Sequence, residues 1–227
     1  MASGVSLVVF DLGGVLVRIA RSWSEACAAA GVPTRGAGDD AAAWSRRRGP
    51  VEAYESGRID HAAFLAGIVA SEEGRYSAEE VARVHAAWLL AEYPGVGALV
   101  DAIHEAGLET GILSNTNDSH WRRMLPESAP SAEFPALHRV RHPHASHLLG
   151  LRKPAQEVYL RMAARTGHDP DRILFFDDLS DNVLGARGAG WHAEQVDPSG
   201  DPAAQMAALL ERHGVRIGTH RGPTGHP

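Results

Sequence analysis

Residues 5–10, VSLVVF, form an apolar run, rich in β-branched side chains, that ends on Asp11. A strand with no polar face has no side to turn toward water, so it belongs in the middle of a sheet covered on both faces. The same pattern returns at 108–115 (LETGILSN) and 172–178 (RILFFDD), and more weakly at 191–197 (WHAEQVD). Between the later strands lie GVGALVDAIHEAG and PAQEVYLRMAARTG, and SDNVLGARGAG follows the third. Each has apolar residues at three and four spacing and closes on glycine, the signature of a helix and its stop. Strand alternating with helix predicts the α/β class, with a doubly wound parallel sheet.

Residues 18–93 break this rhythm. They are alanine-rich and helical in pattern, contain no convincing strand, and close at the turn YPG at 93–95. They are expected to form a separate helical domain inserted after the first strand, leaving 1–17 and 94–227 as the core. The tail GTHRGPTGHP is expected to be disordered.

Composition narrows the partners. With 227 residues, 44% of them hydrophobic, the chain can bury one large core or two modest ones. Its net charge is -6 and its basic residues are scattered apart from Arg46 to Arg48, which argues against nucleic acid. No apolar stretch approaches the roughly 18 residues of a membrane span, and no basic segment introduces the first apolar run. One cysteine, Cys27, cannot form an internal disulfide. The expectation is a cytoplasmic protein with no nucleic-acid or membrane partner, acting as a monomer or homodimer.

The candidate site lies at the strand ends. In an open α/β sheet, ligands bind beyond the carboxyl ends of the strands. The first strand ends in Asp11, the second in Ser114 and Asn115, the third in Asp177 and Asp178, while LRKP puts Lys153 ahead of a helix. A magnesium ion takes oxygen ligands and suits one or two carboxylates with a carbonyl and a phosphate, so Asp11 and Asp178 are candidate ligands. Such an ion, with Lys153, would let an anionic carboxylate approach an anionic phosphate. Ser114 and the backbone N–H groups after it stand where a strand turns toward a helix, an anion cradle. Asp11 is the candidate nucleophile.

DLGGV at 11–15, SNT at 114–116, Lys153 in LRKP and DDLSDN at 177–182, in that order, resemble the four motifs of the haloacid dehalogenase superfamily. An α-helical insertion after the first strand resembles that family's subclass I cap. SHLLGLRKP and FFDDLSDN are most similar to the branch with a bacterial glucose-1-phosphate phosphatase and the phosphatase domain of soluble epoxide hydrolases. The resemblance implies a Rossmann-like core and two-step hydrolysis of a small phosphorylated metabolite through a phospho-aspartate at Asp11. It implies Mg2+ held by Asp11, the Gly13 carbonyl and Asp178, with Asp177 assisting. It also implies phosphoryl oxygens held by Ser114, the Asn115 backbone and Lys153.

One position departs from the family pattern. Most phosphatases of the family carry an aspartate two residues after the nucleophile as acid and base, and here that residue is Gly13. Glycine can lend a carbonyl but cannot shuttle a proton. Asp118, His120 or a cap residue could stand in, or the substrate could have an acidic leaving group such as an anomeric sugar oxygen. The branch resembled here also carries glycine there, which favours a sugar 1-phosphate within the wider expected class of sugar or nucleotide-like phosphates. Plainer readings stand beside these. Gly13 and Gly14 would serve a turn with positive φ, Asp181 and Asn182 would cap a helix, and His138, His142, His144 and His147 would be solvated. Arg46 to Arg48 would be a solvated helix end, and Trp23, Trp44 and Trp88 would be cap core. Two rival functions remain: a metal-independent dehalogenase, and a catalytically weak binding module.

Overall fold

The computed structural model describes residues 4–36 and 38–218. The first half holds β1 (Leu7–Phe10), β2 (Val17–Ile19), α1 (Trp23–Ala29), α2 (Ala41–Glu55), α3 (His61–Ser71), α4 (Ala78–Ala86) and β3 (Leu89–Glu92). There follow α5 (Val96–Glu105), β4 (Glu109–Ser114), α6 (Asp118–Met124), β5 (His142–Ala145) and α7 (Ser146–Leu149). The chain closes with α8 (Gln156–Thr166), β6 (Ile173–Asp177), α9 (Ser180–Gly188), β7 (His192–Gln195) and α10 (Pro202–Arg212). The expected tail, from residue 219 on, lies outside the described residues.

Five strands form one parallel sheet in the order β5-β4-β1-β6-β7, the α/β class that the apolar runs demand. β1 is central, and all four of its side chains are fully buried. Val8 and Phe10 face one layer with Ile112, Phe176 and the apolar stripes of α5 and α10. Leu7 and Val9 face the other with Leu113, Phe175 and residues of α8 and α9. Alternate side chains of one strand thus feed two cores, which is why the segment has no polar face. α8 stops on Gly167, in the left-handed region at φ 71°. Among the described residues, no helix is long and apolar enough to cross a membrane.

Helices α1 to α4 pack around their own cluster, including Trp23, Cys27, Tyr54, Phe64, Tyr76 and Val84. Their starts are fixed by side chains that accept the first free N–H groups: Ser22, Asp40, Asp60, and Ser77 in a reciprocal cap with Glu80. The expectation of an all-helical 18–93 needs a correction. β2 and β3 pair as an antiparallel ribbon, Val17 opposite Glu92 and Arg18 opposite Ala91, and both chain crossings between helices and core run through it. Two strands of three and four residues, partners some seventy positions apart, leave no local period to detect. β5 is the other strand without a sequence signal: its HPHA is an edge strand with Pro143 inside it, held by register with Gly111–Ser114.

Candidate active site

The carboxyl ends of β1, β4 and β6 bring the expected residues together. Asp11 follows β1, Ser114 ends β4, and Asp177 ends β6 with Asp178 next to it; all but Asp178 are buried. Lys153 arrives on the loop between α7 and α8 and is 3% exposed. Its Nζ is 2.6 Å from Asp177 Oδ2 and 2.9 Å from Asp11 Oδ1. Burial pushes the Asp11 carboxyl up, to about 6, with Asp177 adding to the rise, while Lys153 and the Ser114 hydroxyl hold it down. The two neighbouring carboxylates more than offset burial at Lys153 and keep the ammonium charged. Removing one partner of such a buried ionic group costs roughly 3–5 kcal/mol, because the other is left uncompensated.

Asp177 has no oxygen to spare. Oδ1 accepts from the backbone N–H of Leu179 at 2.9 Å, Oδ2 from Lys153, and the Asn182 amide reaches both at 3.0 Å. Asn182 was expected to cap α9; instead it lies buried within the helix and orients Asp177. Asn115 fixes the lysine loop in a two-way clasp, donating to Lys153 O and accepting from Lys153 N, both at 2.9 Å. Its side chain is committed to that task, so only its backbone is free for an anion.

A cation fits this cluster. Asp11, Asp177 and Asp178 each place an oxygen within 4.8 Å of the others. Asp11 Oδ1 is buried and accepts no well-aligned hydrogen bond, although Lys153 stands beside it. Gly14, at φ 82°, keeps the approach open: a Cβ there would lie 2.6 Å from Asp178 Oδ2. Arg21, just beyond β2, donates to the same oxygen at 2.7 Å, a partner that no local motif announces because it comes from 157 residues away. The positive φ belongs to Gly14 and not to Gly13. A Cβ at Gly13 would meet only the end of the Ile19 side chain, at 2.9 Å.

Above the cluster, helices and core enclose a cavity of about 540 Å³ that reaches Gly13, Ser114 and Asn115. Its walls are largely apolar and aromatic, including Tyr54, Phe64 and Trp88, with the three tryptophans Trp23, Trp44 and Trp88 all on its lining. Trp44 is 53% exposed, so it is not the core residue expected. Arg47 is likewise no solvated helix end: it is buried, paired with Glu72 at 2.6 Å and stacked over Trp23.

Neither named stand-in for the missing aspartate takes the role. Asp118 points to solvent and pairs with Arg122. His120 does line the cavity, but its ring stacks on His85 of α4 at 3.9 Å between centroids and its Nε2–H donates to the His85 carbonyl. Burial drives His120 down to about 4 and His85 well below its ordinary value. A neutral imidazole whose proton is committed to a carbonyl is a poor acid. The carboxyl that α2 brings to the cavity is Glu55, raised by burial and held by Arg152 at 2.6 Å. Arg152 is the residue before Lys153, and Ser146, accepting from Thr116 N–H at 3.0 Å, donates to the Glu55 carbonyl. The histidines expected to be solvated are all partly buried and hydrogen-bonded: His138 accepts from Ser131, His142 pairs with Glu109, His144 and His147 reach carbonyls.

Comparison with known proteins agrees with this frame. The family model of haloacid dehalogenase-like hydrolases matches residues 5–190. A phosphatase of Mycobacterium tuberculosis (strain CDC 1551 / Oshkosh) is 31% identical over 130 residues, 57% of this chain and 57% of that protein. The chain therefore matches little more than half the length of that curated relative. A HAD family enzyme from Bacteroides thetaiotaomicron, solved as a magnesium complex, superposes with a TM-score of 0.72 at 22% identity, covering 89% of this chain and 98% of that one. The 2-haloacid dehalogenase of Pseudomonas syringae pv. Tomato DC3000 gives 0.59 at 18%, covering 92% and 99%. At these identities the two structures speak to the fold alone. With the family model matched across most of its length, the chain belongs to the haloacid dehalogenase-like hydrolases.

Proposed function

We propose that the protein is a Mg2+-dependent phosphatase acting on a small phosphorylated metabolite, a sugar phosphate or nucleotide-like phosphate. The observation that carries this reading is the third carboxylate. Asp11, Asp177 and Asp178 each place an oxygen within 4.8 Å of the others, and their three charges exceed the two that Lys153 and Arg21 bring, so the cluster has room for a further cation. In the metal-independent dehalogenase reading, Asp178 would have no metal ion to hold. The relative's description as a phosphatase points the same way.

In this reading Asp11, the Gly13 carbonyl and Asp178 would hold Mg2+, which would supply charge neutralisation at the phosphoryl oxygens. Asp177 serves by holding Lys153 in place. An Asp11 oxygen forms a bond to phosphorus while the bond to the leaving oxygen breaks and that oxygen takes the electron pair. Ser114, the Asn115 backbone and Lys153 hold the other phosphoryl oxygens. Water then attacks the phospho-aspartate, releasing phosphate and restoring the carboxylate. With Gly13 unable to give a proton, leaving groups that need none are favoured, and the ring of the alcohol has Tyr54, Phe64 and Trp88 to lie against. The helices of 18–93 act as the cap that closes over it. Cys27, free and buried, suits a reducing cytoplasm.

Phosphate release from a panel of phosphorylated metabolites, with and without chelator, tests the proposal. Release should require Mg2+, vanish in Asp11→Asn, and be faster for aryl and anomeric phosphates than for primary alkyl phosphates. Full activity in excess chelator, or halide release from 2-haloacids without metal, would overturn it.

A further inference from the structure

At the opposite end of the sheet, away from the catalytic carboxylates, three side chains meet that the chemistry above does not use. Glu109 opens β4, His142 opens β5, and His168 stands in the loop between α8 and β6. His142 Nε2 lies 2.5 Å and His168 Nε2 3.5 Å from one and the same oxygen, Glu109 Oε2. One donor atom from each residue falls within 4.8 Å of the other two. The two rings meet edge to face, with centroids 6.3 Å apart, so both nitrogens turn inward on the carboxylate.

The surroundings are built for this convergence. Ser6, just before β1, hydrogen-bonds His168 Nδ1 at 2.7 Å. That contact sets the ring angle and, with Nδ1–H donating to the hydroxyl, leaves Nε2 with a free lone pair, the arrangement that ligating histidines show. Arg141 approaches Glu109 on its other oxygen, Oε1, at 3.8 Å, and so leaves Oε2 to the histidines. The side chains are partly open to solvent, 29% for His142, 17% for His168 and 39% for Glu109, so an ion can reach them.

We propose that Glu109, His142 and His168 form a second metal site, selective for a borderline dication of the zinc type. Two imidazoles and one carboxylate make a donor set that suits Zn2+ and its neighbours in the transition series. Magnesium, which prefers an all-oxygen shell, is not the ion for it. Three protein ligands leave one tetrahedral position for water or an external ligand. The ion joins the starts of β4 and β5 to the loop that leads into β6, and so pins the edge strand that has the weakest intrinsic claim to its place. His142 and His168 are 26 positions apart, and the glutamate lies on a third segment, so no spacing in the sequence announces the set.

The test uses full-length protein stripped with chelator, then titrated with Co2+ in the presence of saturating Mg2+ and followed by visible absorption, with Zn2+ as competitor in calorimetry. A single strong Co2+ site with a tetrahedral spectrum, displaced by Zn2+, is expected. Affinity should fall at least about tenfold in Ser6→Ala, and the band should be lost in His168→Ala and in Glu109→Gln, with circular dichroism reporting the fold of each. Asp178→Asn should bind Co2+ as the parent does, which separates this site from the catalytic one. No band in the parent, or an unchanged titration in folded His168→Ala or Glu109→Gln, would overturn the proposal and leave the cluster a set of histidine–glutamate ion pairs.

Discussion

Gly13 and Gly14 sit side by side and do different work. Gly14 needs its positive φ and its missing Cβ, since any side chain would run into Asp178. Gly13 needs neither, because its backbone lies outside the left-handed region and only the movable tip of Ile19 stands in the way. Gly13→Asp is therefore expected to fold with a loss below about 1 kcal/mol in urea denaturation. If a vacant acid position limits turnover of alkyl esters, the new carboxylate should raise turnover on a primary alkyl phosphate by about tenfold or more, within the range that proton transfer supplies. Aryl phosphate turnover should change little. An equal rise for both, or none for the alkyl ester in a folded variant, would place the proton donor elsewhere, with Glu55 the first to replace.

At the scale of elements, the contact between α4 and α6 carries a pH dependence. His85 and His120 stack across it, His61 lies against His85, and Arg123 adds a positive charge near His120. Both members of the stack are neutral in the fold. An unfolded histidine takes up its proton near 6.5, whereas folded His120 resists until about 4. Below pH 6.5 the unfolded chain thus binds more protons, and stability falls as the pH drops from there toward 4. The His120 share is roughly 3 kcal/mol. Urea denaturation between pH 4.5 and 7 should show this slope, and the double variant His85→Gln/His120→Gln should flatten it; an unchanged slope would place the titration elsewhere. The pair also marks where sequence reasoning stops. β1, β4 and β6 were legible because burial on both faces demands apolar runs, and Asp11, Ser114, Lys153, Asp177 and Asp178 because each stands at the end of such a run or beside the proline of the turn that leads into α8. α10 carries a readable signal too, Asp201 capping ahead of Pro202. His85, Arg21, Arg152 and β5 have no such mark, since each owes its place to a partner distant in sequence.

Across the whole molecule, one residue ties the helical insertion to the carboxylate cluster. Arg21 follows β2 in the ribbon that carries the helices, and its guanidinium already neutralises Asp178. A metal ion must compete with it for that oxygen. Arg21→Gln should bind Mg2+ up to about fivefold more tightly in calorimetry, the equivalent of the 1 kcal/mol or less that a partly exposed ion pair contributes. Weaker binding would mean that Arg21 helps to organise the site instead. Pro143 has a consequence of another kind. A sheet that stops on an outer strand normally offers a rail of free amide groups on which a second chain can polymerise. Here that rail is four residues long with an imino acid inside it, and the opposite margin, β7, is just as short. Crowded copies of this protein therefore have little purchase along the margins of that sheet for zipping into fibrils.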